Sequence, residues 1–250
     1  MNRRKSSARF LLVIFVAIAV FVAGVAAYWS ARTRPASDVA LQALQSDDRV
    51  TVSQADGVIT FAPADARSSV GFIFYPGANV DYRAYAPVLR LIAERGYFVA
   101  LVRVPLNLAF FDTDAAADII ERFPEIEVWV VGGHSLGGVT SAAFAADHPD
   151  LISGVVFFAS YPKDNGLKTT PIKVLSIYGT NDALATVEII NNSKQLLPAD
   201  AEFISIEGGN HSQFGSYGFQ SGDGVAAISA EEQWTQTADA VARFFEAMTR

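Results

Sequence analysis

Between Val70 and Met248 short apolar runs alternate with longer stretches suited to helices, and few architectures satisfy such a pattern. The runs Val70 to Tyr75, Phe98 to Val102, Val128 to Val131, Gly154 to Phe158, Val174 to Tyr178 and Glu202 to Ile206 are rich in β-branched and aromatic residues. Most lack the polar alternation of a sheet with one wet face, so they read as parallel strands covered on both sides. Helices are expected at Tyr85 to Arg95, Thr113 to Arg122, Leu136 to Asp147, Leu184 to Leu197 and Glu231 to Met248. Ahead of them, Arg49 to Val52 and Val58 to Phe61 flank Asp56-Gly57, the signature of an antiparallel hairpin. Right-handed crossovers then give an α/β fold with a mostly parallel, doubly wound sheet and helices on both faces. In such sheets ligands bind beyond the carboxyl ends of the strands.

At one of those ends stands Gly133-His134-Ser135-Leu136-Gly137, a G-x-S-x-G sequence behind an apolar strand and ahead of the Ala-rich helix Leu136 to Asp147. A serine at a strand-to-helix elbow is held in a strained backbone conformation with its hydroxyl exposed above the sheet. Gly133 and Gly137 leave room for the tight turn, and the N–H of Leu136 at the helix start is free to face an oxyanion.

A serine hydroxyl attacks only when an imidazole takes its proton, and a carboxylate must orient that imidazole. Of three histidines, His134 lies inside the elbow, where its side chain is expected to point away from Ser135, and His148 stands before Pro149, where the helix stops. His211 follows the glycine-rich Gly208-Gly209-Asn210 after the last strand and is the candidate base. Asp182, at the end of Val174 to Tyr178, is the favoured acid, with Glu207 as the rival, and the order Ser135, Asp182, His211 is that of a Ser, acid, His triad. For the second oxyanion donor Pro76-Gly77-Ala78-Asn79 follows the strand Val70 to Tyr75: Pro76 has no N–H, Gly77 lets the backbone turn, and Ala78 supplies the donor.

These motifs, with Tyr75-Pro76-Gly77-Ala78-Asn79, Gly179-Thr180-Asn181-Asp182 and Gly208-Gly209-Asn210-His211-Ser212-Gln213-Phe214-Gly215, resemble a bacterial α/β-hydrolase family distantly similar to dienelactone hydrolases. The resemblance spans most of Val70 to Met248 and implies the same fold, triad and oxyanion assignments, and a hydrolase activity. Dienelactone hydrolases proper carry a cysteine where Ser135 stands, so their lactone specificity does not carry over, and Pro76-Gly77 replaces the His-Gly of many esterases.

Residues 1–9 hold Arg3, Arg4, Lys5 and Arg9 and no acid, and Phe10 to Trp29 holds no charged residue. That run is long enough to cross a hydrocarbon core of about 30 Å and exceeds the usual apolar region of a signal peptide, which favours an uncleaved signal-anchor over cleavage after Val25-Ala26-Ala27. Either way the domain is expected outside the cytoplasm, anchored by one helix or secreted. Residues 30–48 are expected to be a juxtamembrane linker and 49–250 the catalytic domain. Beyond Arg34 there remain 13 basic against 26 acidic residues, a charge of −13 that repels nucleic acid and anionic headgroups. The absence of cysteine excludes disulfides and thiolate metal sites.

The expected chemistry is hydrolysis of a carboxylic ester, thioester or amide through an acyl-enzyme, with neither metal nor organic cofactor. The alternatives are an acyltransferase using the same triad and a non-catalytic binding protein that kept the fold. Ala159 to Pro171 is too short for a helical lid, so no substantial cap domain is expected. Phe214, Tyr217 and Phe219 on the glycine-rich stretch Ser212 to Ser229 either wall the pocket or anchor their loop, and Asp223 between two glycines reads as a turn.

Overall fold

The computed structural model describes residues 12–22, 24–25, 32–64 and 69–249. They fall into two units, divided after Thr33. In the first, residues 12–22 and 24–25 are helical with exposed side chains. The membrane span expected over Phe10 to Trp29 lies partly outside the described residues, among which no helix is long and apolar enough to cross a membrane.

The second unit is built on one eight-stranded sheet of order β1-β2-β4-β3-β5-β6-β7-β8. Its strands are β1 (Val50–Ala55), β2 (Val58–Pro63), β3 (Val70–Tyr75), β4 (Phe98–Val102), β5 (Val128–His134), β6 (Gly154–Phe158), β7 (Lys173–Gly179) and β8 (Glu202–Ile206). β3 to β8 run parallel, and β2 is antiparallel to both β1 and β4. Asp56 and Gly57 both take positive φ, 49° and 77°, which gives the hairpin between β1 and β2 the twist of a primed turn.

Side-chain alternation in β3 shows how the sheet makes two cores. Phe72 and Phe74 enter one cluster with Leu89, Phe158 and Phe245, while Ile73 and Tyr75 enter the other with Ile119, Trp129 and Phe144. The first core is roofed by helices α2 (Ala86–Ala93) and α6 (Ala230–Met248), the second by α3 (Ala115–Arg122) and α4 (Leu136–Asp147). Removing Phe72 down to alanine would cost about 3–5 kcal/mol, since the ring is fully buried.

Three differences from expectation have physical causes. β5 continues past Val131 through Gly132 and Gly133 to His134, because those residues pair with β6 and the two glycines also with β3. Helix α5 (Val187–Ser193) begins later than Leu184, because the amides of Leu184 and Ala185 are turned onto the Asp182 carboxylate and Thr186 caps the helix instead. Part of the expected linker packs on the domain: α1 (Asp38–Gln42) is capped by Ser37, whose N–H donates to the carbonyl of Ser216, and Arg34 bridges to Val80. Between β6 and β7 there is no helix and no large cap.

Candidate active site

Ser135 sits between β5 and α4 with φ 52° and ψ −120°, a conformation that costs a non-glycine residue about 1–3 kcal/mol. The surroundings hold it there. Its N–H donates to the carbonyl of Phe158 (3.0 Å), and its own carbonyl accepts from the N–H of Gly138 (3.0 Å) and the hydroxyl of Ser160 (2.6 Å). A Cβ on Gly137 would run into the carbonyl oxygens of Tyr75 and Pro76, and one on Gly133 into the backbone of Gly137. The two glycines therefore let the start of α4 meet β3 backbone to backbone.

Asp182 and His211 arrive from the neighbouring strands β7 and β8. Nδ1 of His211 lies 2.9 Å from Oδ2 of Asp182, with both side chains buried, while Oδ1 accepts from the N–H groups of Leu184 (2.8 Å) and Ala185 (2.7 Å). A carboxylate oxygen can only accept, so Nδ1 carries the imidazole proton and the lone pair of Nε2 is left to act as base. Glu207, the rival acid, has an exposed side chain. Ser135, Leu136 and His211 line one cleft of about 290 Å³ with Val139, Tyr161 and Gln220.

The turn after β3 distributes its amides unequally. Gly77 donates to the hydroxyl of Tyr85 (3.0 Å) and Asn79 to the carbonyl of Asn107 (3.0 Å). Between them the N–H of Ala78 meets no protein acceptor among the described residues, and the same holds for Leu136 at the start of α4. Leu136 lines the cleft, whereas Ala78 stands half-buried in the turn beyond Pro76, whose carbonyl abuts Gly137.

His134 does not line the cleft of Ser135, as expected of a side chain turned into the flanking layer, but it touches His211 there. Its ring packs against His211, with centroids 4.4 Å apart, and against Phe214 and Tyr217. The Tyr85 hydroxyl, which accepts from the Gly77 N–H, shares a hydrogen bond of 2.8 Å with Nδ1 of His134. Burial, with the His211 charge second, holds His134 well below its ordinary pKa of 6.5, so it stays neutral. Burial likewise raises Tyr85 and Tyr217.

Asp223 is more than a turn residue. Its buried carboxylate accepts from the N–H of Ser212 (2.8 Å), the hydroxyl of Ser212 (2.6 Å), the N–H of Gly224 (2.8 Å) and, more distantly, the N–H groups of His211 (3.3 Å) and Ala183 (3.4 Å). One side chain thus ties the loop carrying His211 to the loop carrying Asp182. Of the three aromatics on the same stretch, Phe214 and Tyr217 are buried anchors and Phe219 is exposed. His148 caps α4, packs its ring at a tilt against Phe144 and takes no part in the cleft. Among the described residues no group of three or more His, Asp or Glu side chains is placed to hold a metal ion.

An elbow serine, a buried Asp–His pair and a sheet of this order define a class of protein. Residues 71–235 match the model of the Alpha/beta hydrolase family, and the chain belongs to that family. No curated protein matches it in sequence. Among solved structures it is similar to a dienelactone hydrolase from Anabaena variabilis, with TM-score 0.61, 15% identity, and 80% of this chain and 98% of the other covered. It is also similar to an esterase domain from Rhodothermus marinus, with TM-score 0.59, 14% identity and coverage of 75% and 90%. A third, the protein Est1E of Butyrivibrio proteoclasticus with ferulic acid bound, gives TM-score 0.58, 12% identity and coverage of 83% and 99%. At such identities the likeness is one of fold.

Proposed function

We propose that the protein is a serine hydrolase that cleaves a carboxylic ester through an acyl-enzyme. The observation that carries this reading is the buried 2.9 Å contact between Asp182 and His211, with His211 lining the same cleft as the strained Ser135. Ser135 Oγ attacks the carbonyl carbon while His211 Nε2 takes its proton. The negative charge of the tetrahedral intermediate falls to the N–H groups of Leu136 and Ala78. His211 then returns the proton to the leaving alkoxide, and water repeats the sequence to free the acid. Asp182 fixes the tautomer of His211 throughout and stabilises its charged form.

An uncapped cleft of about 290 Å³ supports a short acyl group. Esterases among the structural neighbours support an ester over an amide. The uncharged run Phe10 to Trp29 behind four basic residues supports anchoring by a single helix with the domain outside the cytoplasm. The test is labelling of the full-length protein by a fluorophosphonate probe, with turnover of acetyl, butyryl and octanoyl p-nitrophenyl esters. Labelling that is lost in Ser135→Ala and present in His148→Ala is expected. Equal labelling of wild type and Ser135→Ala would refute the reading.

A further inference from the structure

Among the described residues of 34–249, five large apolar side chains are more than half exposed: Leu106 (53%), Phe110 (52%), Phe111 (54%), Phe219 (62%) and Val225 (80%). All five lie on two loops, one leaving the carboxyl end of β4 and the other that of β8. They therefore crown the same edge of the sheet as the cleft. Gln220, next to Phe219, lines the cleft itself. Leu106 and Asn107 hold positive φ (53° and 54°), a costly conformation for a leucine.

The chain also enters the domain at this edge. The polypeptide joins the domain at Arg34, whose N–H donates to the carbonyl of Asn79 (2.7 Å) and whose carbonyl accepts from the N–H of Asp81 (2.9 Å). Asn79 in turn donates to Asn107, in the loop that carries Leu106, Phe110 and Phe111. Entry point, oxyanion turn and apolar loop are thus joined by consecutive hydrogen bonds. In the sequence four residues separate Trp29 from Arg34, so an anchor in the uncharged run Phe10 to Trp29 would keep the domain close to a bilayer.

We propose that this edge seats on a lipid surface, with Leu106, Phe110, Phe111, Phe219 and Val225 entering the headgroup region and the cleft opening onto it. The surface is zwitterionic, because a domain charge of −13 is repelled by anionic lipid. The inference rests on the anchored-hydrolase reading and deepens it: the substrate is an ester carried by a membrane amphiphile. Apolar side chains that would be a liability in water gain about 25 cal/mol for each Å² withdrawn from it.

The chain has no cysteine, so single reporters are available without other changes. Full-length Phe111→Cys, Val225→Cys and Leu151→Cys, each carrying the fluorophore NBD, are reconstituted into dioleoylphosphatidylcholine vesicles. Leu151 precedes β6, at the opposite edge of the sheet. Emission at 111 and 225 is expected to shift to the blue and be quenched by a shallow doxyl-labelled lipid, with neither effect at 151. Labels at 111 and 225 that behave like the one at 151 in protein that floats with the vesicles overturn the docking alone. A blue shift without lipid quenching overturns it in favour of a second copy of the chain. Protein that fails to float removes the anchor and the proposal with it. Turnover of a water-soluble acetyl ester on the same vesicles judges the hydrolase separately, and quenched labels on an inactive wild type uphold the docking while refuting the chemistry. A second readout is independent of labels: Phe110→Ser with Phe111→Ser should lower hydrolysis of a vesicle-borne ester about tenfold, equivalent to ~1.4 kcal/mol, and no change there would count against the docking.

Discussion

Replacing Asp223 by asparagine changes one oxygen to an NH₂ group in a site where every neighbour is a donor. On one side stand the N–H and hydroxyl of Ser212, on the other the N–H groups of Gly224, His211 and Ala183. The better orientation keeps the amide oxygen towards Gly224 and turns NH₂ to Ser212, whose hydroxyl can rotate to accept. The backbone N–H of Ser212 cannot. It is left buried against another donor, costing about 1–3 kcal/mol, and the remaining bonds lose their charge assistance. The sum is ~3 kcal/mol, which in a chain of this size lowers Tm by roughly 6–12 °C. Because His211 immediately precedes Ser212, its imidazole loses its register with Ser135, and kcat/KM should fall about 10²-fold at temperatures where the variant is still folded. KM should change little, since Asp223 does not line the cleft. Thermal unfolding and ester kinetics at 15 °C measure both, with Glu207→Gln, an exposed neighbour, as the inert control. A Tm within 2 °C of wild type together with unchanged kcat/KM, on the same size scaling, would show that Asp223 positions nothing.

Ser135→Ala and His211→Ala should each remove ester turnover to the residual level of the oxyanion site, and Asp182→Asn should cost about 10⁴-fold by favouring the wrong tautomer, as steady-state kinetics will report. Ser135→Gly should be more stable than Ser135→Ala by about 1 kcal/mol in denaturant titrations, reversing the usual order because only glycine takes φ 52° without strain. The depressed pKa of His134 means that the unfolded chain binds a proton the folded one refuses, so stability should fall by up to ~1.4 kcal/mol per pH unit as pH drops below 6.5. His134→Gln should flatten that slope between pH 6.5 and 5, and a slope identical to wild type would remove His134 from the account. With soluble p-nitrophenyl esters kcat/KM should peak at short acyl chains. A steady rise to palmitoyl would show that the cleft extends beyond what the uncapped site supplies.

The six parallel strands were legible because burial on both faces writes itself as uninterrupted β-branched and aromatic runs. The elbow was legible because its glycines are demanded by backbone contacts that no side chain can share. The contact of His134 with His211 was not. With β5 expected to end at Val131, the alternation that carries His134 to the face of Tyr85 and Phe214 was lost, and only the pairing of Gly132 and Gly133 on both sides restores it. Asp223 left no trace either, since its partners are backbone amides up to 40 positions away, and a backbone donor has no letter in a sequence. Gly222-Asp223-Gly224 reads as a turn whether or not its carboxylate is the hub of two loops.

The sheet also distributes the machinery unevenly. The elbow belongs to β5, in the interior of the sheet with a parallel neighbour on each side, whereas His211, the proposed base, follows β8, an edge strand that pairs with β7 alone. Edge strands open more readily than central ones. On warming, β8 should detach and carry the base away while β3, β5 and β6 still hold Ser135 in its elbow. Such a molecule loses its turnover before its fold, and on cooling regains it without having to rebuild the core. Heat inactivation would then be a local event at one margin of the sheet, with a midpoint below that of global unfolding.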